Sequence, residues 1–120
     1  MNEEELIEYC LSYPGVYKDY PFDETWTVMR HVGNKKSFAF IFQRHGHLCV
    51  NLKCDPIKAD FLRTLYTDVQ PGYHMNKEHW NTVNLEGEIP LEEIQDMIEH
   101  SYHLTQPKIR KKKSQDSGEQ

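Results

Sequence analysis

The stretch Ser37-Phe38-Ala39-Phe40-Ile41-Phe42-Gln43-Arg44-His45-Gly46-His47-Leu48-Cys49-Val50-Asn51-Leu52-Lys53 decides the fold. Phe38, Phe40 and Phe42 alternate with Ala39 and Ile41, a period of two with apolar groups on both sides, which predicts a strand near the centre of its sheet. Arg44-His45-Gly46-His47 reads as a tight turn, and beyond it Leu48, Val50 and Leu52 alternate with the wetter Cys49, Asn51 and Lys53. Two alternating runs joined by so short a turn must lie antiparallel.

Working outward, Trp26, Val28 and Val32 point one way while Thr27, Met29 and His31 point the other, and Gly33-Asn34 supplies a turn into the central strand. The result is a three-strand meander. Before it, Asn2 and Glu5 have capping-box spacing and Leu6, Ile7, Cys10 and Leu11 recur at helical spacing, so a helix is expected over 3–12. Pro14-Gly15 ends it, and Val16 to Glu24, with Tyr17, Tyr20, Pro21 and Phe22, reads as an irregular, partly buried connection.

After the meander, Asp55-Pro56 is an N-cap followed by proline at the first helical position. Ile57, Phe61, Leu62 and Leu65 form one apolar stripe on a helix expected over 56–66. Asn76 caps a short turn through Trp80, and Val83 and Leu85 alternate with Thr82 and Asn84 as a further strand. Pro90 then opens a helix to 104 whose Leu91, Ile94, Met97, Ile98 and Tyr102 share a face, with Glu92 and Glu93 at its positive end and His100 and His103 at its negative end.

These signals predict a single α/β (α+β) domain over 1–106. Its antiparallel sheet has strands near 26–32, 37–43, 47–53 and 82–85, extended to a fifth by residues near 69–75, with three helices packed on one face. From residue 107 to 120 the chain turns basic and polar, and a disordered tail is expected. No apolar run reaches the roughly 20 residues of a membrane span and the first residues are acidic, so a cytoplasmic monomer with no membrane partner is expected.

Chemistry is less legible. Cys10, Cys49 and Cys54 lack the close spacing of zinc or redox sites, and Cys54, at a strand end, is the one thiol placed to react. The pairs His45/His47, His74/His79 and His100/His103 bring no third or fourth ligand in sequence, so structural or solvated histidines are expected, with no metal and no cofactor. Ser37, Ser101 and Cys54 have no base and orienting group in a recognisable local pattern, and no enzyme is expected.

Charge is segregated: the formal sum is −6 over 1–29, +5 over 30–63 and −7 over 64–106. A fold that gathered the middle segment on one face would place a basic patch on an acidic body. Lys35, Lys36, Arg44, Lys53 and Lys77 are the candidate phosphate contacts of a DNA-binding surface. The alternative is a protein-interaction module that uses an exposed sheet face together with Trp80 and Asn81, and a small-molecule pocket beneath Trp80 is a third reading. Trp26 is expected in the core or at an interface.

Five segments together, Phe38-Ala39-Phe40, Leu52 to Pro56, Tyr73 to Trp80, Val83-Asn84-Leu85 and Ser101-Tyr102-His103-Leu104, resemble the MmcQ/YjbR family of small bacterial proteins over about residues 1–106. The resemblance implies an antiparallel sheet packed by helices, likened to a double-wing DNA-binding arrangement, and implies no catalytic residues.

Overall fold

The computed structural model describes residues 1–108. The order of elements is α1 (Glu3–Leu11), β1 (Val16–Asp19), β2 (Thr27–His31), β3 (Ser37–Arg44), β4 (His47–Lys53), α2 (Pro56–Leu65), β5 (Val69–Pro71), β6 (Trp80–Asn84) and α3 (Leu91–Thr105). The six strands form one sheet in the order β1-β2-β3-β4-β6-β5, and every neighbouring pair is antiparallel. The expected tail lies, from residue 109 on, outside the described residues.

Two expectations change here. Val16–Asp19, read as part of an irregular connection, is an edge strand paired with β2 from Val16 opposite His31 to Asp19 opposite Val28. Four residues interrupted soon afterwards by Pro21 carry too short a periodic signal to register. With this strand and the three-residue β5, the sheet has six members rather than four or five.

The core lies between one face of the sheet and the helices. Met29, Ala39, Ile41, Val50, Leu52 and Val83 meet Leu6 and Cys10 of α1, Ala59 and Leu62 of α2, and Ile94, Met97 and Ile98 of α3. The local signals that start the helices act as read. Asn2 and Glu5 close a reciprocal capping box, and Asp55 accepts the Lys58 N–H ahead of Pro56.

On α2, however, only Ala59 and Leu62 are buried. Ile57, Phe61 and Leu65 are 82%, 62% and 53% exposed, so of the predicted stripe only Leu62 meets the core. Helical spacing fixes which side chains share a face but not whether that face meets the sheet, and here the small Ala59 makes the close approach.

Phe38 also departs from simple alternation. Met29 pairs with Ala39 while Arg30 pairs with Ser37, so β3 carries one extra residue, Phe38, at a bulge. The extra residue lets consecutive Phe38 and Ala39 both join the core while Phe40 and Phe42 stay on the opposite face. Ser101 of α3 sits at this irregularity. Its hydroxyl donates to the Phe38 carbonyl at 2.6 Å and accepts the Lys53 N–H at 2.9 Å, satisfying two backbone groups at the ends of β3 and β4.

His31 is buried between Phe38 and Tyr102, and its Nε2 lies 2.8 Å from the Thr105 hydroxyl. Burial lowers its pKa, partly offset by a backbone hydrogen bond at Tyr102. The folded chain therefore holds this ring neutral to lower pH than the unfolded chain does, and unfolding takes up a proton below about pH 6.5. Stability should decline as pH drops from 7.5 through the histidine range, by at most about 1.4 kcal/mol per pH unit for this one group. His100, whose Nε2 accepts the Asp55 N–H at 3.2 Å and whose pKa burial also lowers, adds to the same slope. Urea denaturation of the wild type and His31→Gln between pH 7.5 and 5 should show a shallower pH dependence in the variant, whatever its absolute stability. Equal slopes would remove His31 from this account.

Candidate binding face of the sheet

All three helices contribute to the core on one side, which leaves the second face to be finished by the strands and loops. Alternation and register select its residues: Val28, Phe40, Asn51 and Thr82 stand in one row across four strands, with Phe42 and Cys49 in the next. Trp26, one residue before β2, stacks on Phe42 with ring centroids 4.2 Å apart and planes 5° from parallel. Phe22 meets Trp26 edge-on at 6.3 Å and 89°, and Phe40 meets it at 6.5 Å and 73°. Trp80 closes the other side of Phe40, 5.5 Å away.

Over this face lies the loop between β5 and β6. Its anchor is a polar relay set into the sheet. Asn51 Nδ2 donates to the Tyr73 carbonyl at 2.9 Å, the Tyr73 N–H donates to the Thr82 hydroxyl at 2.8 Å, and that hydroxyl donates to Asn51 Oδ1. Asn51 and Thr82 are both buried, and the loop gives each a partner that the sheet cannot.

The Tyr73 ring then lies against Phe42 at 5.8 Å, with the Arg44 guanidinium 4.2 Å from its centroid. Gly72 enters the loop where a Cβ would stand 2.8 Å from Trp80 Cβ, so only glycine fits there. His74 holds φ at +62°, a conformation that costs a non-glycine residue energy and is kept only because its neighbours fix it.

Arg63 of α2 secures the loop from the helix side. Its Nε donates to Asn81 Oδ1 at 2.7 Å, its Nη2 to the Lys77 carbonyl and, at 3.3 Å, to the Trp80 carbonyl, and its Nη1 lies 3.4 Å from Asp60. Lys77 Nζ in turn donates to the Gly72 carbonyl at 2.7 Å.

Two concavities flank the Tyr73 loop. One, of about 300 Å³, is lined by Phe22, Asp23, Trp26, Phe40, His74 and Met75. The other, of about 150 Å³, is polar, with Arg44, His45, His47, Cys49, Asp68 and Asn84 among its walls. Glu86, near the second, is engaged structurally: its carboxylate accepts the Leu48 N–H at 2.7 Å and lies 3.3 Å from His47 Nδ1. The first of these contacts, then the second, lowers its pKa.

The five candidate cations do not meet in one place. Lys35 and Lys36 lie in the β2–β3 turn and Lys53 at the end of β4, at the same end of these strands, where Lys53 is the Cα partner of Trp80. Arg44 lies at the far end of β3, roughly 23 Å away at about 3.3 Å per residue. Lys77 is drawn inward by Gly72. Trp80 stands on the open face, but Asn81 points into the core side, 2% exposed, and its Nδ2 has no hydrogen-bond partner among the described residues. Cys54 is 4% exposed and burial raises its pKa, which corrects the reading of it as a reactive thiol. Among the described residues no three His, Cys, Asp or Glu side chains cluster as metal ligands, and no helix is long and apolar enough to cross a membrane.

Trp80 stands out in the sequence, whereas Phe22, Tyr73, His74 and Met75 do not stand out as a set. The available signal was the aromatic density of 17–26 beside that of 73–80, two segments that only the sheet order brings together.

Fold and face define a class first: an α/β module with helices on one side of an antiparallel sheet and a ring-lined surface, partly roofed by one loop, on the other. Within that class the chain belongs to the YjbR family, whose model matches residues 11–104. It is 35% identical to YyaQ of Bacillus subtilis over 117 residues, covering 88% of this chain and 98% of that one. It is 33% identical to YjbR of Escherichia coli K12 over 102 residues, 85% of each chain. Crystal structures of proteins from Pseudomonas syringae and Deinococcus radiodurans superpose with TM-scores of 0.79 and 0.77 at 32% and 31% identity. They cover 88% and 84% of this chain and 99% and 75% of their own.

Arg63→Ala should cost about 2–3 kcal/mol, because it strips the Asn81 side chain of its remaining partner and takes the arginine donor from the Lys77 carbonyl. Arg63→Lys, lacking the planar fork, should recover only part of the loss. Amide hydrogen exchange over 73–80 should accelerate in Arg63→Ala, and unchanged exchange there would mean that the arginine does not hold the loop.

Proposed function

We propose that this protein is a non-enzymatic binding module whose open sheet face receives a segment of a partner protein. The observation that carries the reading is the ring-lined concavity of about 300 Å³ between Phe22, Trp26, Phe40 and Met75. Its walls are mostly apolar, and Phe22 is 67% exposed, an arrangement that leaves large hydrophobic area in water until something covers it. Aromatic side chains in such a setting supply most of the energy of typical protein interfaces. Among the described residues that line the concavity, no nucleophile–base pair accompanies them. Cys49 and Cys54 are buried with raised pKa values, and Ser101 is committed to backbone groups inside the core.

A second reading keeps DNA as the partner, as in a double-wing arrangement. What favours it is that Lys35, Lys36 and Arg44 stand on hairpin turns with no carboxylate in ion-pair contact among the described residues. Against it stand their separation by the length of β3 and the acidic charge of the segments on either side of 30–63.

A photo-crosslinking residue placed at Phe22 should give discrete protein adducts in cells, and the same residue at Glu99, exposed on the helix side, should not. Adding Trp26→Ala to the protein that carries the crosslinker at Phe22 should remove those adducts. Adducts that survive Trp26→Ala would overturn the sheet-face reading. For the second reading, anisotropy of labelled single- and double-stranded oligonucleotides at 50 mM salt should show affinity that falls steeply by 200 mM, and falls again in Lys35→Glu/Lys36→Glu. Flat titrations would dismiss it.

A further inference from the structure

We infer that the concavity beneath Phe22 is an aromatic cage for a cation, and that the group it receives is the ammonium head of a lysine-type side chain carried by the partner. This rests on the sheet-face reading and names the chemistry of its occupant.

The arrangement of the rings is the first argument. Phe22 and Phe40 stand at 89° and 73° to Trp26, so the three planes form the walls of a corner rather than a flat platform. One face of Trp26 is covered by Phe42, stacked at 4.2 Å, which turns the other toward the cavity. A flat base or ring would stack on parallel planes. A compact, roughly spherical cation instead gains from the negative faces of several rings set at an angle, with tryptophan the strongest of them.

Charge is the second argument. Asp23 is the one acidic side chain in the lining, and neither lysine nor arginine accompanies it. Its position is fixed by the loop: Oδ1 accepts the Thr25 N–H at 2.8 Å and the Thr25 hydroxyl. These bonds lower the Asp23 pKa and keep it ionised. Two cations near this side of the sheet are engaged elsewhere: Arg30 donates through Nε to Asp19 at 2.8 Å and through Nη1 to the Lys35 carbonyl at 2.9 Å, and the Arg44 guanidinium lies 4.2 Å from the centre of the Tyr73 ring. Residues 16–26, which lead into this corner, hold Asp19, Asp23 and Glu24 against Lys18, a formal charge of −2, so a cationic partner is drawn to this side of the sheet.

An apolar anchor such as leucine would also fit rings of this kind, and the carboxylate decides between the two. Burying an ionised Asp23 against leucine would cost its solvation with nothing in return, whereas an ammonium compensates it directly.

The experiment titrates the full-length protein with three short peptides identical except at one central residue: lysine, trimethyl-lysine, and the neutral carbon isostere of trimethyl-lysine, which has the same shape without the charge. Binding is followed by amide and indole chemical shifts. Trimethyl-lysine should bind at least about five-fold tighter than the isostere, the increment expected of a cation over rings. Asp23→Asn should weaken the two cationic peptides and leave the isostere unchanged, while Trp26→Ala should weaken all three. Equal or tighter binding of the isostere would overturn the cage and leave an apolar pocket, with the sheet-face reading intact. Absence of shifts at Trp26 with every peptide would also overturn the cage. The crosslinking outcome at Phe22 then decides separately whether the face binds a partner at all. A folded, shift-dispersed spectrum for each variant excludes unfolding as the cause of any loss.

Discussion

A sheet covered by helices on one side only has a second face that must be managed without them. Here that constraint shapes the molecule. The row Val28-Phe40-Asn51-Thr82 cannot be all polar, because β3 is central and its aromatic side chains fill both sides. Water is kept off it by stacked rings, Trp26 on Phe42 and Trp80 beside Phe40, and by a loop tied down through two buried polar side chains. Asn51 and Thr82 would be costly in such a place if left unpaired, and the Tyr73 backbone satisfies them. The loop needs the sheet for its anchorage, and the sheet needs the loop to complete its hydrogen bonds.

On the covered side, the same economy of backbone groups fixes α3. The bulge that turns Phe38 toward the helices would strand a carbonyl, and Ser101 occupies it while also receiving the Lys53 N–H. Around it, Phe38, His31 and Tyr102 interlock, and the Tyr102 hydroxyl reaches the Pro14 carbonyl at 2.6 Å to tie the first loop to the last helix. One helix thus ties β2, β3 and β4 to the amino-terminal segment. The irregular strand and the polar residues of α3 are parts of one solution.

Much of this fold is legible in the residues. Period-two alternation from Trp26 to Lys53, the Asn2/Glu5 and Asp55-Pro56 starts, and the apolar spacing of α3 are local signals, and they place three strands and three helices near their observed bounds. The misses have local causes of another kind. β1 is too short for periodicity to speak, the Phe38 bulge breaks the rule that alternate residues share a face, and the α2 stripe reports amphipathicity without direction. The binding face is only half visible in sequence because it is assembled from three segments, 22–26, 40–42 and 73–80, that are far apart along the chain. Charge is conspicuous in a sequence, whereas the feature the fold assembles is a set of rings.

The account stands on Trp26 presenting one ring face to solvent while resting the other on Phe42. Incorporating 5-fluorotryptophan in a Trp80→Phe background and measuring the fluorine resonance of Trp26 in H₂O and D₂O tests this directly. A solvent isotope shift close to that of an exposed indole, together with line broadening by a soluble paramagnetic agent, is the predicted result. A Trp26 resonance insensitive to both would mean that the ring is sealed inside the protein, and the open aromatic face would not exist.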